Sequence, residues 1–300
     1  MNIKLKPLDQ QVIVITGPSS GIGMATALIA AREGAKVVLA SRSENVLREL
    51  ENQICLFGGE ALVVVADVGR RVEMDEVADA AIAQFGRIDT WINNAGNSIY
   101  GRLEQVNEAD SRRLFDTNFW GVVNGSLAAL PHLRRHGGAL INVGSEVSEA
   151  VVPLQGMYSA SKHAVKGFTD ALRVELAEEK APVSVTLIQP TAVNTPFPEH
   201  ARNYMPREPK LPDPKVDPTQ VAEAILSAAA KPVRHIKVGA MSKMNTAASH
   251  LAPKLADWMA TKQVKAQQAD SPPVNPEGAL YRGGETGRLR GRPPEVRGAR

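Results

Sequence analysis

Seven short segments rich in β-branched residues alternate with helical segments along the first 240 residues of this chain. The seven segments are almost continuously apolar, which is the pattern of parallel strands that are covered on both faces. Helices between consecutive strands supply the crossovers that a parallel sheet requires. The alternation therefore predicts an α/β fold built on a doubly wound, parallel, seven-stranded sheet. The predicted strands are residues 12–16, 36–40, 61–66, 90–93, 139–143, 183–188 and 235–238, and the predicted helices are residues 22–33, 44–55, 72–85, 108–135, 158–177 and 219–230.

A chain of 300 residues is long enough for one large α/β domain, and we assign residues 1–240 to it. Residues 241–269 are a predicted helical extension, which carries Leu251, Leu255, Trp258 and Met259 along one stripe. This stripe can pack on the domain, form a dimer or touch a membrane surface (residues 241–268), and packing is the ordinary outcome. Residues 270–300 are rich in Pro, Gly and Arg, which predicts a disordered tail.

Residues 190–218 interrupt the alternation with eight prolines. Proline removes backbone donors and blocks helices, so this segment is predicted to be extended. It follows the carboxyl end of a predicted strand, where open α/β sheets bind ligands. We interpret the segment as a lid over a substrate site, with a purely structural surface loop as the alternative.

The net charge of +3 comes entirely from residues 271–300, which carry six arginines and three glutamates. The rest of the chain has equal numbers of basic and acidic side chains. Tyr281 is the one aromatic residue of the tail, so stacking on bases would be poor. We therefore expect no nucleic-acid binding, although an arginine-rich tail makes it the third function to consider.

The single cysteine, Cys55, excludes an intrachain disulfide and fits a reducing compartment. The six histidines do not have the spacing of metal ligands, so no metal site is predicted. The first residues lack the apolar core of a signal peptide, and no segment reaches the roughly 18 to 20 apolar residues of a transmembrane helix. We therefore predict a cytoplasmic protein without a membrane span.

A glycine-rich turn joins the first predicted strand to the first predicted helix. Its sequence is Thr16-Gly17-Pro18-Ser19-Ser20-Gly21-Ile22-Gly23. Glycines allow the backbone to approach a pyrophosphate closely, and the helix N-terminus offers unpaired N–H groups and the positive end of its dipole. A turn of this kind between a strand and a helix predicts a dinucleotide site. The residues that would contribute are Gly17, Ser19, Ser20, Gly21, Ile22 and Gly23.

The second predicted strand leads to Ser41 and Arg42, at a place where dinucleotide sites often carry an acidic residue for the ribose 2′-hydroxyl. A hydroxyl and a guanidinium suit a 2′-phosphate instead. We therefore predict NADP(H) as the cofactor rather than NAD(H), with a simple loop-capping role for Arg42 as the alternative. Asp67, after the third predicted strand, can accept a hydrogen bond from an adenine amino group or cap its own loop.

Further motifs follow in order along the chain. They are Asn93-Asn94-Ala95-Gly96, Asn118, Ser145 thirteen residues before Tyr158, the run Tyr158-Ser159-Ala160-Ser161-Lys162, and residues 190–195. With the glycine turn, they make residues 8–240 resemble the classical short-chain dehydrogenase/reductase family, whose motifs are TGxxxGxG, NNAG, YxxxK and PGxVxT. The resemblance implies a Rossmann-like fold, a homodimer or homotetramer, and hydride transfer between NADP(H) and a small carbonyl or alcohol substrate.

The resemblance also implies a catalytic set, which is Asn118, Ser145, Tyr158 and Lys162. Tyr158 would be the general acid/base, and the ammonium of Lys162, one helical turn away, would lower the pKa of its phenol. Ser145 would donate a hydrogen bond to the substrate oxygen, and Asn118 would position a water in a proton relay. The further cofactor contacts that it implies are Val68, Asn94, Ala95, Gly96, Tyr158, Lys162, Pro190, Val193 and Thr195.

Two positions depart from the family pattern, and one is unusual. Thr191 replaces a glycine after Pro190, and Pro18 stands where alanine is common. Glu146, next to Ser145, can contact a polar or cationic substrate or cap the following turn. The alternative function is a non-catalytic NADP(H)-binding regulator with the tail as its partner contact, but the presence of all four catalytic-type residues favours an enzyme.

Overall fold

The computed structural model describes residues 3–284 and 286–292. Seven of its strands form one parallel sheet in the order β3-β2-β1-β4-β6-β7-β9, and β5 pairs with β8 in a separate short ladder. The strands are β1 Val12–Thr16, β2 Lys36–Ser41, β3 Ala61–Val65, β4 Thr90–Asn93, β5 Ile99–Tyr100, β6 Gly138–Val143, β7 Val183–Pro190, β8 Arg202–Asn203 and β9 His235–Val238. The predicted doubly wound, parallel, seven-stranded sheet is confirmed.

Helices cover both faces of this sheet. They are α1 Gly21–Arg32, α2 Glu44–Leu56, α3 Arg71–Phe85, α4 Glu108–Phe115, α5 Gly121–His136, α6 Gly156–Glu178, α7 Phe197–His200, α8 Pro218–Ala230, α9 Ala240–Leu251 and α10 Pro253–Ala266. Along β1, Ile13 and Ile15 pack toward α1, α2 and α8, whereas Val12 and Val14 pack toward α3, α5 and α6. Both faces of each central strand are therefore buried, which explains the continuous apolar runs in the sequence.

The helix predicted over residues 108–135 is interrupted. A π-helical turn, Asp116–Trp120, separates α4 from α5. A π turn inserts one extra residue into the helix and changes the direction in which its side chains point. The interruption lies at Asn118, whose side chain is fully buried.

The helical extension predicted over residues 241–268 consists of two helices. Ala252 takes a non-helical conformation between α9 and α10, and Pro253 begins the second helix. Proline has no N–H to continue a helix but fits its first turn, so the break falls at this position. The two helices expose much of the apolar stripe, including Leu251 and Trp258.

The proline-rich segment 190–218 is anchored at several points. Its helix α7 is followed by β8, which pairs with β5, and Val193 forms a bridge with Val216. Pro209 forms another bridge with Gln268 of the helical extension. The segment therefore closes over one end of the sheet with defined contacts.

The disorder expected for residues 270–300 is not found in residues 271–284 and 286–292, while residues 285 and 293–300 lie outside the described residues. Ala279 and Leu280 are buried, and the Ala279 amide donates to the carbonyl of His200 at 2.7 Å. Composition predicts disorder because such a segment has little apolar surface of its own. In this protein the tail is ordered because the rest of the chain supplies hydrogen-bond donors and a pocket for it. The composition of the tail alone does not reveal these partners.

Among the described residues, no helix is both long and apolar enough to cross a membrane.

Candidate active site

A cavity of about 450 Å³ opens at the carboxyl ends of the parallel strands. The cavity is lined by the glycine turn, by the ends of β2, β3, β4, β6 and β7, by segment 190–218, by α9 and α10, and by the tail. Of the predicted site residues, every one except Asn118 borders this cavity, namely Gly17, Ser19, Ser20, Gly21, Ile22, Gly23, Ser41, Arg42, Asp67, Val68, Asn94, Ala95, Gly96, Ser145, Tyr158, Lys162, Pro190, Val193 and Thr195. The fold thus brings together residues that are far apart in sequence.

The glycine turn lies against the backbone of its neighbours. Gly17 has a φ of +67°, a conformation that side chains disfavour, and a Cβ there would lie 2.7 Å from the Cα of Ala95. A Cβ on Gly23 would collide with the carbonyl oxygen of Gly17. Only glycine allows this close packing, and the turn and the start of α1 border the cavity.

The Asn-Asn-Ala-Gly motif after β4 fastens that turn. Asn94 donates from Nδ2 to the carbonyls of Thr16 and Gly17, at 3.0 and 3.1 Å. The hydroxyl of Thr16 accepts hydrogen bonds from the amides of Asn94 and Ala95. Asn94 therefore sets the shape of the turn, a role that spacing alone does not reveal.

The end of β2 is bound by the C-terminal tail. Arg42 donates from Nη1 to the carbonyl of Leu280 at 3.1 Å and from Nη2 to the carbonyl of Ala279 at 2.8 Å. The hydroxyl of Ser43 donates to the carbonyl of Gly284 at 2.8 Å. Arg42 faces the cavity but is also anchored, a contact that the sequence interpretation missed because it took the tail to be disordered.

Asp67 lies beside Arg42, with donors on both of its carboxylate oxygens. Arg113 donates to Oδ2, and the amide of Gly69 donates to Oδ1 at 3.0 Å. Burial alone would raise the pKa of this carboxyl, but these hydrogen bonds and the charges of Arg113 and Arg42 lower it. Asp67 thus caps its own loop, which was one of the two roles predicted for it.

Tyr158 projects from the first turn of α6 into the cavity. Its ring packs against Phe197 of α7 with centroids 5.6 Å apart, so the proline-rich segment supplies one wall of the site. Burial raises the pKa of the phenol to about 12, a hydrogen bond with Ser145 lowers it, and the charge of Glu146 raises it. Without a cofactor the pKa of Tyr158 is therefore raised, because burial has the largest effect. A pKa lowered by Lys162 together with the charge of an oxidised nicotinamide stays a prediction for the cofactor-bound protein.

Lys162 lies one helical turn beyond Tyr158 and is almost fully buried. Its Nζ donates to the carbonyl of Val143 at 2.8 Å and lies 5.8 Å from the centre of the Tyr158 ring. Burial lowers the pKa of this ammonium to about 8. The amine is thereby directed toward the end of β6, at the edge of the cavity.

Asn118 lies behind the cavity wall in the π-helical turn. Its Oδ1 accepts from the amide of Asn97 at 2.8 Å, and its Nδ2 donates to the carbonyl of Asn97 and to the hydroxyl of Ser161. Oδ1 and the Lys162 amine both approach Gly96, since a Cβ there would meet them at 3.5 and 3.7 Å. Asn118 thus links the segment after β4 to α6.

Glu146 begins the 3₁₀ turn Glu146–Ser148 directly after Ser145. Its Oε2 accepts hydrogen bonds from the hydroxyl of Thr191 at 3.1 Å and from Nδ2 of Asn245 at 3.0 Å. Burial raises the pKa of this carboxyl, and its effect is larger than the lowering by the two hydrogen bonds. Thr191, which departs from the family pattern, therefore binds Glu146, and Asn245 of α9 is a site residue that sequence reasoning missed.

The glycine turn and the catalytic-type side chains border the same cavity. The glycines of the turn have no side chains and no space for them, so a ligand there would contact the backbone directly. The N-terminus of α1 favours anionic groups. The tail crosses the same region, because the amide of Gly21 donates to the carbonyl of Arg288 at 3.0 Å. The catalytic-type side chains lie at the opposite end, near Ser145 and Tyr158.

Several known proteins are similar to this chain. It is 45% identical over 287 residues to an uncharacterized oxidoreductase, YxnA, from Bacillus subtilis, which spans 94% of this chain and 81% of the relative. It is 36% identical over 192 residues to a putative oxidoreductase, SadH, from Mycobacterium tuberculosis, spanning 64% of this chain and 70% of the relative.

Two solved structures that are similar to this chain contain a nicotinamide dinucleotide. A short chain dehydrogenase from Burkholderia phymatum in complex with NAD aligns with a TM-score of 0.76 and 28% identity, covering 84% of this chain and 96% of the other. An alcohol dehydrogenase from Thermococcus sibiricus complexed with 5-hydroxy-NADP aligns with a TM-score of 0.68 and 27% identity, covering 76% and 95%. The family model for short chain dehydrogenases matches residues 11–205. The chain is therefore an oxidoreductase of the short-chain dehydrogenase family.

Proposed function

We propose that this protein interconverts a small carbonyl compound and the corresponding alcohol, with NADP(H) as its cofactor and Tyr158 as the general acid/base. The observation that carries the proposal is the common cavity. The glycine turn borders one end of it, and Ser145, Tyr158 and Lys162 border the other. A cofactor-oxidation screen with NADPH and NADH across carbonyl classes tests the proposal, which fails if no class is turned over.

The bound cofactor supplies or accepts the hydride in this reaction. In the reducing direction, Tyr158 donates its phenolic proton to the carbonyl oxygen, and the hydroxyl of Ser145 donates a hydrogen bond to the same oxygen. In the oxidising direction, Tyr158 takes the proton of the alcohol. The high pKa of the free Tyr158 phenol means that it carries a proton at neutral pH, as a general acid must.

Lys162 and Asn118 complete the proposed proton path. The Lys162 amine binds a backbone carbonyl and stands close to Gly96, where the ribose of a nicotinamide nucleotide would contact it. Asn118 orients the segment around Asn97 and Gly96 and is proposed to position a water between Lys162 and solvent. The lowered pKa of Lys162, about 8, and the positions of the two side chains support the transfer of protons to and from Tyr158.

NADP(H) is proposed over NAD(H) because Arg42 and Ser41 stand where an acidic residue would favour NAD(H). Two guanidinium N–H groups of Arg42 are used by the tail carbonyls, which fixes the plane of the group while the remaining donors stay available. A fixed guanidinium at this edge of the cavity complements a 2′-phosphate.

A homodimer or homotetramer, a cytoplasmic location and a small-molecule partner remain predictions. The alternative of a non-catalytic regulator is not favoured, because all four catalytic-type residues are present and three of them, Ser145, Tyr158 and Lys162, border the same cavity as the glycine turn.

Replacing Tyr158 by Phe should remove the acid/base and leave the ring packing against Phe197 intact. We expect turnover to fall at least about a hundredfold while NADPH binding is retained. Steady-state kinetics and fluorescence titration measure the two effects. Tyr204→Phe is the matched control, because Tyr204 binds Asp110 away from the cavity and its loss should not affect turnover. Unchanged turnover in Tyr158→Phe would refute the assignment.

Replacing Arg42 by Asp should place a negative charge beside the proposed 2′-phosphate. We expect NADPH affinity to fall about ten- to a hundredfold and NADH affinity to fall less, since charge-assisted hydrogen bonds contribute roughly 1.5–3 kcal/mol. Arg48→Asp, which makes the same charge change on an exposed face of α2, controls for net charge. Equal affinities for NADPH and NADH in the unmodified protein would contradict the cofactor proposal.

A further inference from the structure

The carboxyl of Glu146 lies in the substrate end of the cavity, next to the proposed reaction centre. It follows Ser145 directly, it lines the cavity, and its charge acts on Tyr158. The proton transfer proposed above does not use this group. Its position nevertheless places an acceptor within the space that a substrate must enter.

Two donors orient this carboxyl from one side. The hydroxyl of Thr191 and the Nδ2 of Asn245 both donate to Oε2. Among residues 3–284 and 286–292, every hydrogen bond to the Glu146 carboxyl ends on that oxygen. Within the described residues, Oε1 therefore has no hydrogen-bond partner, and it belongs to a side chain that lines the cavity.

The walls around Glu146 are largely apolar, with Val147, Val152, Phe197, Leu211, Pro212 and Met241 among them. The other charged groups of this region are directed elsewhere. The Lys262 ammonium lies 3.6 Å from the centre of the Trp258 ring, and Asp213 pairs with Lys215 at 3.6 Å. Gln155 binds Ser98 and Gln267. Of the described carboxylates that line the cavity, Glu146 is the one whose charge acts on Tyr158.

A carboxylate oxygen that is removed from water without a donor is costly, and a donor from the ligand offsets that cost. We propose that Oε1 of Glu146 accepts a hydrogen bond from a second donor group of the substrate, a hydroxyl or an ammonium on a carbon next to the reacting carbon. The inference rests on the proposed function and adds the substrate class. Preferred substrates are vicinal diols, amino alcohols and the corresponding hydroxy or amino ketones.

Aryl alcohols of matched size test this preference. In the oxidising direction, 1-phenyl-1,2-ethanediol and 2-amino-1-phenylethanol are compared with 1-phenyl-1-propanol, in which a methyl group replaces the donor. We expect kcat/KM of the unmodified protein to be at least about tenfold higher for the compounds with a donor. A preference for both compounds assigns a hydrogen bond, and a preference for the amine alone assigns an ion pair.

Variants of Glu146 then show whether this side chain is the cause. Glu146→Ala should reduce both preferences to near parity, and the isosteric Glu146→Gln should reduce the preference for the amine more than that for the diol. Glu149→Gln is the matched control, because Glu149 also fastens α9 and β9 but does not line the cavity. If Glu146 served only to anchor α9, Glu149→Gln would change the ratios in the same way.

Calorimetric binding in a Tyr158→Phe background supplies a readout that does not depend on turnover. With NADP⁺ present, the diol should bind at least about tenfold more tightly than 1-phenyl-1-propanol, and adding Glu146→Ala should remove the difference. Equal binding of the two compounds, or a preference that persists without Glu146, overturns the inference while the proposed function stands. If the unmodified protein turns over no alcohol or carbonyl compound, both the proposed function and this inference are refuted.

Discussion

Tyr158 has neighbours that act on its pKa in opposite directions. Burial has the largest effect and raises the pKa, Ser145 lowers it through a hydrogen bond, and the charge of Glu146 raises it. The Lys162 amine donates to the carbonyl of Val143. A Tyr-Lys pair one helical turn apart therefore does not by itself produce an acidic phenol, and the charge of a bound oxidised cofactor would have to contribute.

We expect Tyr158 to remain protonated beyond pH about 10 in the cofactor-free protein, since burial disfavours the phenolate. The phenolate absorbance of the unmodified protein minus that of Tyr158→Phe, followed as a function of pH, isolates this residue. The midpoint should lie above the ordinary tyrosine range and should fall in Glu146→Gln, which removes the like charge. A midpoint below about 9 would contradict the structure.

The sequence predicted which residues border the cavity, but it did not predict their pKa values. The glycine turn, Ser145, Tyr158 and Lys162 were found because a fixed order of strands and helices places them at one edge of the sheet. The pKa values depend on burial and on where the Lys162 amine points, which no spacing in the sequence specifies. Asn245 was missed for a similar reason, because it acts through Glu146 from a helix outside the motifs.

Strands and helices with a regular hydrophobic pattern were predicted to within one or two residues. Interruptions inside helices were not predicted. The strands are buried on both faces and the helices have clear apolar faces, so local pattern and tertiary packing agree. The π turn at Asp116–Trp120 adds one residue without changing the apolar pattern, so residues 108–135 looked like a continuous helix. Pro253 was the only sign in the sequence of the break before α10, and the helix predicted over residues 241–268 included this proline.

Glu149 connects three elements and carries a pH-dependent contribution to stability. Its carboxylate accepts hydrogen bonds from Gln189 of β7, Lys237 of β9 and His250 of α9. Burial alone would raise the pKa of Glu149, but these bonds outweigh it and lower the pKa to about 2. Because the folded pKa is depressed, the stabilisation is present above the unfolded value of 4.5 and is lost as pH falls toward about 2.

We therefore expect Glu149→Gln to lower the free energy of unfolding by about 1–2 kcal/mol at pH 7, a value discounted for solvent screening. The difference from the unmodified protein should narrow as the pH falls below about 4.5. Urea unfolding at several pH values measures it. A difference that stays constant from pH about 7 to about 3 would mean that the charge of Glu149 does not stabilise the fold.

The tail changes the description of the whole molecule. It was expected to be disordered, yet residues 271–284 and 286–292 cross the cofactor end of the cavity. Further contacts of this segment join Tyr281 to Asp110 and Arg290 to Asp217. Composition could not predict this, because each contact combines an ordinary tail group with a partner more than seventy residues away in the chain.

Leu280 offers a direct test of whether the tail is part of the folded molecule. It is fully buried against Ile99 and Leu114, in the cluster that also contacts Tyr158. We expect Leu280→Ala to lower the free energy of unfolding by about 2–4 kcal/mol, as is typical when a buried leucine is truncated. Chemical denaturation provides the measurement. Val274→Ala, at an exposed position of the same segment, should cost less than about 0.5 kcal/mol. Equal, small effects of both changes would indicate a tail that does not pack.

Several contacts between the tail and the domain use the tail's backbone. Arg42, Ser43 and Gly21 all donate to carbonyl oxygens of the tail, and a carbonyl oxygen is the same whatever side chain its residue carries. Most residues of the tail can therefore be replaced without loss of these bonds. The length of the tail and its closely packed glycines cannot change in the same way. Gly278 has a φ of +58°, and a Cβ there would meet the carbonyl oxygen of Ala201 at 2.5 Å. Relatives that share this closure would be recognised by the spacing of such glycines from the last helix, even where the letters between them do not align.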